Sequence, residues 1–254
     1  MSHHIVEATD LRFTYPDGHQ AINGISFLLR HGESVGIIGA NGAGKTTLLM
    51  LMLGVLLPTS GNVRVGEVEV TRKTLPIIRQ KMGMVFQDPD DQLFMTTVYD
   101  DVAFGPRNYQ LEEAEVERRV VAALETVGIL HLRDRPPFKL SGGEKRAAAI
   151  ASVLSMQPDI LVMDEPSASL DPRARRRVIR QLQSFEHIKI ITSHDLDMIL
   201  ELCERTIVLQ GGRIAADGPS AEILSNPDLL EACGLELPLT LQSCPLCGNG
   251  GSRR

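Results

Sequence analysis

The stretch from Val35 to Leu57 constrains this chain more than any other. Four apolar-run residues, Val35-Gly36-Ile37-Ile38, feed Gly39-Ala40-Asn41-Gly42-Ala43-Gly44-Lys45-Thr46-Thr47, and an uncharged apolar run from Leu48 to Leu57 follows. That order predicts a short buried parallel strand, a phosphate-cradling turn and a buried helix behind it. The turn fits the pattern G-x-x-x-x-G-K-[ST]. Its glycines let backbone N–H groups turn toward phosphate oxygens, and the helix starting near Lys45 adds the positive end of its dipole. Lys45 is expected to reach the β- and γ-phosphates, and the Thr46 hydroxyl to ligate Mg²⁺. Alone, this loop says only that a nucleotide binds.

The rest of the chain is laid out around it. Ile5 to Phe13 and Ala21 to Arg30 read as strands around the turn Tyr15-Pro16-Asp17-Gly18, and Asn62 to Val70 reads as a hairpin after Pro58-Thr59-Ser60-Gly61. Met82 to Phe86 is another apolar strand. From Asp88 to about Gln157 the pattern turns helical, with Val116, Val120, Leu124 and Val127 on one face of a charged helix starting near Glu112. Strand and helix then alternate again: Ile160 to Met163, a basic helix from Pro172, Ile188 to Thr192, a helix from Asp195, and Thr206 to Gln210. The expected fold class is α/β: a nucleotide-binding core with an N-terminal antiparallel β subdomain and a helical subdomain inserted at about 88–157. One domain over 1–238 would be followed by a loose tail, 239–254.

Bulk properties narrow the function classes. A formal net charge of −6 argues against a binder of nucleic-acid backbones, which needs a basic face. The Leu48–Leu57 run is too short to span a bilayer, and no signal peptide precedes the first strand. The chain reads as cytoplasmic, with any membrane role exerted through a partner.

Two further motifs follow the loop. Leu140-Ser141-Gly142-Gly143-Glu144 opens a helical stretch, so Ser141 and the two glycines expose N–H groups at a helix N-terminus, a second anion site. Ile160-Leu161-Val162-Met163-Asp164-Glu165 is an apolar strand that ends in carboxylates. A carboxylate at the end of a buried strand is costly unless something binds it, and Mg²⁺ is the natural partner for Asp164. Glu165 would point the other way if the strand continued, and could polarise an attacking water.

In this order the three motifs resemble the ATPase subunit of ABC transporters, from about Ile5 to about Pro219. The resemblance implies a P-loop NTPase fold, ATP and Mg²⁺ as ligands, and ATP hydrolysis. By that resemblance Gln87 ligates Mg²⁺ and contacts the lytic water, His194 is the switch histidine near the γ-phosphate, and Tyr15 stacks on adenine. Mg²⁺ would thus be held through Thr46, Gln87 and Asp164. Ser141, Gly142, Gly143 and Glu144 would complete the ATP site of a partner subunit in a head-to-tail dimer, with Ser169-Leu170-Asp171 as the loop that crosses the interface. The family more often has Gly where Ser169 stands, and Gln where Glu144 stands. Both halves of the site are intact, so a homodimer is expected and a heterodimer stays open.

Pro89-Asp90-Asp91-Gln92-Leu93-Phe94, with Val98 to Asn108 after it, resembles the energy-coupling-factor (ECF) branch. That branch takes up vitamins or transition-metal ions, using two ATPases, a membrane coupling subunit and a substrate-binding membrane subunit. The short C-terminus and the run Phe104-Gly105-Pro106-Arg107-Asn108 look more like the cobalt/nickel subunits. Localisation would then be peripheral, on the inner face of the cell membrane. Leu93 and Phe94 are expected to line a groove for a helix of the coupling subunit, with Asp90 and Asp91 at its rim for basic residues. The rivals are an ECF ATPase for a vitamin and a soluble ABC ATPase acting on nucleic acid or ribosomes. A kinase would not need the Leu140–Glu144 segment.

Cys203 and Cys233 read as buried or inert. Cys244-Pro245-Leu246-Cys247 supplies two metal ligands where zinc takes four, so an unliganded tail and a transition-metal site through Cys244 and Cys247 both stand.

Overall fold

The computed structural model describes residues 6–183, 185 and 187–242. Its first elements are β1 (Val6–Thr14), β2 (Gln20–Leu29), β3 (Ser34–Ile38), α1 (Lys45–Met52), β4 (Ser60–Val65), β5 (Val68–Glu69), α2 (Leu75–Lys81) and β6 (Met82–Val85). Then come α3 (Val98–Asn108), α4 (Glu113–Thr126), α5 (Gly142–Leu154), β7 (Ile160–Asp164), α6 (Pro172–Gln183) and β8 (Ile188–Thr192). The last are α7 (Leu196–Leu202), β9 (Arg205–Gln210), β10 (Arg213–Pro219), α8 (Ser220–Leu224) and α9 (Pro227–Ala232). They fall into two compact units: the described parts of Met1–Leu75 with Ile190–Arg254, and Pro76–Lys189.

The first unit holds an antiparallel sheet in the order β2-β1-β4-β5. In β1, Val6, Ala8, Leu11 and Phe13 are buried, while Thr9 and Asp10 are both exposed. A register shift between Ala8 and Leu11, with Asp10 at φ 42°, adds the residue that keeps both apolar neighbours on the core face. Ile5, expected in this strand, lies outside the described residues. The unit's second sheet runs β10-β9-β3, with the end of β8 on the far side of β3. β3 is parallel to β9 and buried at all five positions, as a strand covered on both faces must be. Gly36 makes that cover close: a Cβ there would lie 2.5 Å from Ile199 Cγ2 on α7.

The apolar run Leu48–Leu57 is not one helix. α1 ends at Met52, where Gly54 takes φ 67° and the N–H groups of Gly54 and Val55 bond back to Leu51 and Met50. This left-handed glycine turn satisfies the last carbonyls and stops the helix.

In the second unit β6 pairs parallel with β7, and α3, α4 and α5 form the helical part. Val116, Val120, Leu124 and Val127 are all fully buried. α5 is buried from Arg146 through Ala151 and packs on both α3 and α4. No described helix is long and apolar enough to cross a membrane.

Candidate functional site

In the first unit, β3 delivers the chain into the glycine loop. Gly44 is the N-cap of α1 with φ 102°, and a Cβ there would stand 2.6 Å from the Ala21 carbonyl oxygen. Only glycine fits both the conformation and the space. No side chain caps α1 and no acid sits in its first turn, so nothing in the helix itself opposes an anion at its leading N–H groups. Lys45 is buried; its Nζ donates to the carbonyls of Gly39 at 2.8 Å and Ala40 at 3.3 Å. His194, two residues past β8, brings Nε2 to 3.5 Å from the same ammonium. Asn41, Gly42 and Thr46 are exposed, while Ala43 and Thr47 are buried. Thr47 Oγ1 lies 3.0 Å from the Tyr15 hydroxyl, which ties that ring to α1; Phe13 meets the ring edge-on at 4.8 Å.

The second unit holds the acidic strand end and the signature helix. β7 is buried at every position, and Asp164 closes it at 4% exposure. The strand does not continue through Glu165, as the alternation argument required. Glu165 is buried with φ 49°, so the turn, not the strand period, directs its carboxylate. Ser169 also has a left-handed φ, 60°, at the position where the resembled family favours glycine. Leu170 is half-buried, and Asp171 accepts hydrogen bonds from the N–H groups of Arg173 and Ala174, capping α6. Those backbone bonds hold the Asp171 carboxyl below the usual range.

Ser141 caps α5 through a reciprocal pair. Its Oγ accepts from Glu144 N–H, and the Glu144 carboxylate accepts from Ser141 N–H at 2.8 Å. The Ser141 backbone, then its hydroxyl, lowers the Glu144 pKa. A Cβ on Gly143 would come within 2.9 Å of Ala174 Cβ, so the glycine lets α6 approach.

Gln87 is exposed just past β6, and its carbonyl accepts a bond from Arg146 at 2.5 Å. Arg146 is a residue the sequence reading passed over. Its only local signal is a guanidinium placed directly ahead of the small-residue run Ala147-Ala148-Ala149.

Leu93 and Phe94 part company. Leu93 is 7% exposed and belongs to the core, contrary to its expected place in a groove, whereas Phe94 is 64% exposed. The backbone turns between them because the buried Asp101 carboxylate accepts from the N–H groups of Phe94 and Met95; burial raises its pKa. Phe94 meets Phe104 edge-on at 5.0 Å, and with Phe86, Met84, Tyr109 and Met156 they line a cavity of about 300 Å³. Asp91 is at its edge. Asp90 is paired with Lys145 at 2.6 Å, while its side chain stays 60% exposed.

Cys203 and Cys233 are buried. Cys244 and Cys247 lie outside the described residues, among which no three His, Cys, Asp or Glu side chains gather into a metal-binding group.

Comparison with known proteins places the chain among relatives of one family. The family described as ABC transporter matches residues 22–168. The protein GSU1281 of Geobacter sulfurreducens is 63% identical over 98% of this chain and 100% of its own length. The energy-coupling factor transporter ATP-binding protein EcfA of Carboxydothermus hydrogenoformans is 45% identical over 93% of this chain and 88% of that one. Among solved structures, cbiO1 from Clostridium perfringens, described as part of the ABC transporter complex cbiONQ, superposes with a TM-score of 0.81. It is 37% identical and covers 91% of this chain and 94% of that one.

Proposed function

The chain belongs to the ABC transporter family as an ATP-binding, ATP-hydrolysing subunit, and we propose that it powers an ECF-type importer of cobalt or nickel ions. The observation that carries the importer reading is the aromatic cavity immediately downstream of Gln87. Phe86, Phe94 and Phe104 are 40%, 64% and 44% exposed, an unusual concentration of open aromatic surface. A cavity of this kind suits the apolar anchors of a helix from a membrane coupling subunit, with Asp91 setting register at the rim. The likeness to EcfA and to cbiO1 supports the same branch. The substrate would be chosen by a separate membrane subunit, and the chain would sit peripherally on the inner face of the membrane.

Hydrolysis rests on positioning and charge stabilisation of in-line attack by water on the γ-phosphate. The N–H groups of Gly39 to Thr47 and the Lys45 ammonium hold the phosphates, and Tyr15 stacks on adenine. Glu165 polarises the water and His194 contacts the γ-phosphate. Thr46, Gln87 and Asp164 offer a hydroxyl, an amide carbonyl and a carboxylate, hard oxygen donors that suit Mg²⁺. When bound, Mg²⁺ would neutralise charge on the phosphate oxygens. Ser141, Gly142, Gly143 and Glu144 serve the nucleotide of a second copy, and Ser169, Leu170 and Asp171 lie at that dimer interface.

Affinity purification of the tagged chain from membranes tests the assignment. Recovery of a hydrophobic coupling subunit and a substrate-binding membrane subunit is the expected result. Recovery of ribosomes or nucleic acid without any membrane protein would overturn it.

A further inference from the structure

Arg146 is 1% exposed, the largest of the fully buried side chains. Its Nη1 donates to the Phe86 carbonyl at 2.6 Å and its Nη2 to the Gln87 carbonyl at 2.5 Å. Nε finds no acceptor among the described residues. A buried guanidinium that bonds two carbonyls, leaves its Nε without an acceptor and has the Asp88 charge to favour it is a poor choice for packing alone, because an apolar residue of similar length would fill the space without the desolvation cost. Its presence is explained by what it grips.

Two neighbouring side chains on α5 or facing it reinforce the same attachment. Gln92 Oε1 accepts from Phe86 N–H at 3.1 Å, while its Nε2 donates to the Ala149 carbonyl at 2.8 Å and to Ser152 Oγ at 2.9 Å. Lys145 bonds both carboxylate oxygens of Asp90, at 2.6 and 2.8 Å. Segment 86–92 is therefore fastened to α5 at three successive levels, and Arg146 holds the two carbonyls that flank the Gln87 N–H. Ser141 caps the same helix five residues earlier.

We propose that Arg146 is a positioning residue for Gln87: by bridging the Phe86 and Gln87 carbonyls it fixes the Gln87 backbone to the signature helix, so that the two are presented to nucleotide as one rigid piece. This rests on the reading that Gln87 serves hydrolysis. A planar fork can satisfy both carbonyls at once, whereas a lysine ammonium is a single point of charge on a flexible stem. Displacing Gln87 by an ångström or less lowers turnover without removing any group that binds ATP.

The test is a double-mutant cycle on the full-length protein, measuring steady-state ATP hydrolysis with Mg²⁺. Arg146→Met should lower kcat about tenfold with KM for ATP within about twofold, and Arg146→Lys should fall between it and the wild type. In a Gln87→Ala background, Arg146→Met should cost less than about twofold more, because the residue it positions is gone. Hydrogen exchange of the amides of Gln87, Asp88, Asp90 and Asp91 should speed up in Arg146→Met while those of α1 stay unchanged. Equal losses in both backgrounds, or a KM change as large as the kcat change, would overturn the positioning role and leave Gln87's role intact. Wild-type turnover in Gln87→Ala alone would overturn the reading of Gln87, and the proposal with it. If Arg146→Met does not fold, Arg146→Lys carries the same cycle, with exchange and kcat moving together as the supporting result and kcat unchanged as the opposing one.

Discussion

Lys45 Nζ stands 3.5 Å from His194 Nε2, although 149 residues separate them in the chain. Two neighbouring strands of one sheet, β3 and β8, lead into the segments that deliver a cation and an imidazole to the same spot. In the proposed mechanism Lys45 is the stronger phosphate ligand of the two, because its ammonium is already held over the loop by the Gly39 and Ala40 carbonyls. Lys45→Ala should abolish ATP binding or turnover. His194→Ala should slow turnover by at least about tenfold and change nucleotide affinity far less. Titration with a fluorescent ATP analogue beside steady-state hydrolysis separates the two effects.

Leu93 and Phe94 are adjacent, yet one is core and the other is open surface. Leu93→Ala should destabilise the isolated subunit by about 2–5 kcal/mol, the usual cost of emptying a buried leucine site. Phe94→Ala with Asp91→Ala should leave the melting temperature of the free subunit nearly unchanged and weaken its assembly with the membrane subunits. Thermal melts and co-purification on the same preparations check both halves of the statement.

Ser169 holds φ 60°, a conformation that costs a residue with a Cβ about 1–2 kcal/mol. Glycine removes that strain and loses part of the gain to its greater freedom in the unfolded chain. Ser169→Gly should be neutral or up to about 1 kcal/mol more stable, and Ser169→Val should be less stable than wild type by more than about 1 kcal/mol. Urea unfolding of the three proteins gives the order directly.

Glu144 has its pKa lowered by the Ser141 N–H and hydroxyl, so the carboxylate form is the one the fold favours. A depressed carboxyl pKa contributes stability that is present above the unfolded value, about 4.3, and is lost as pH falls through the folded value. Glu144→Ala should therefore cost about 0.5–1 kcal/mol at pH 7, and the gap should narrow below about pH 4. Urea melts of both proteins at pH 7, 5 and 3 would show it.

Much of the α/β core was legible because its signals are local: glycine spacing in the loop, short runs rich in apolar residues in β3, β7 and β8, and the helical period of Val116, Val120 and Leu124. β10 escaped because none of its seven residues is buried, so no apolar alternation marks it; it is ordered by pairing with β9 and by contacts with β2 and α8. The short α2, α8 and α9 are too brief for a helical period to show. Leu48–Leu57 read as one helix because the turn after Met52 stays apolar, and Gly54 was the signal that could have broken it. Arg146 could not be read at all as a clasp, since its acceptors are backbone carbonyls some sixty positions upstream. The split between Leu93 and Phe94 likewise depends on Asp101 turning the backbone, a contact no period encodes.

The central claim, that hydrolysis by this chain drives metal-ion import, is met most directly by uptake of radiolabelled Co²⁺ or Ni²⁺ in cells that carry the whole transporter with either wild-type chain or Glu165→Gln. Glu165 is the residue proposed to polarise the attacking water, and its loss should slow hydrolysis by at least about a hundredfold while ATP binding persists. Wild-type cells should accumulate the ion, and Glu165→Gln cells should accumulate no more than cells without the ATPase. Equal uptake with the variant, or no cobalt or nickel uptake by the wild type, would contradict the account.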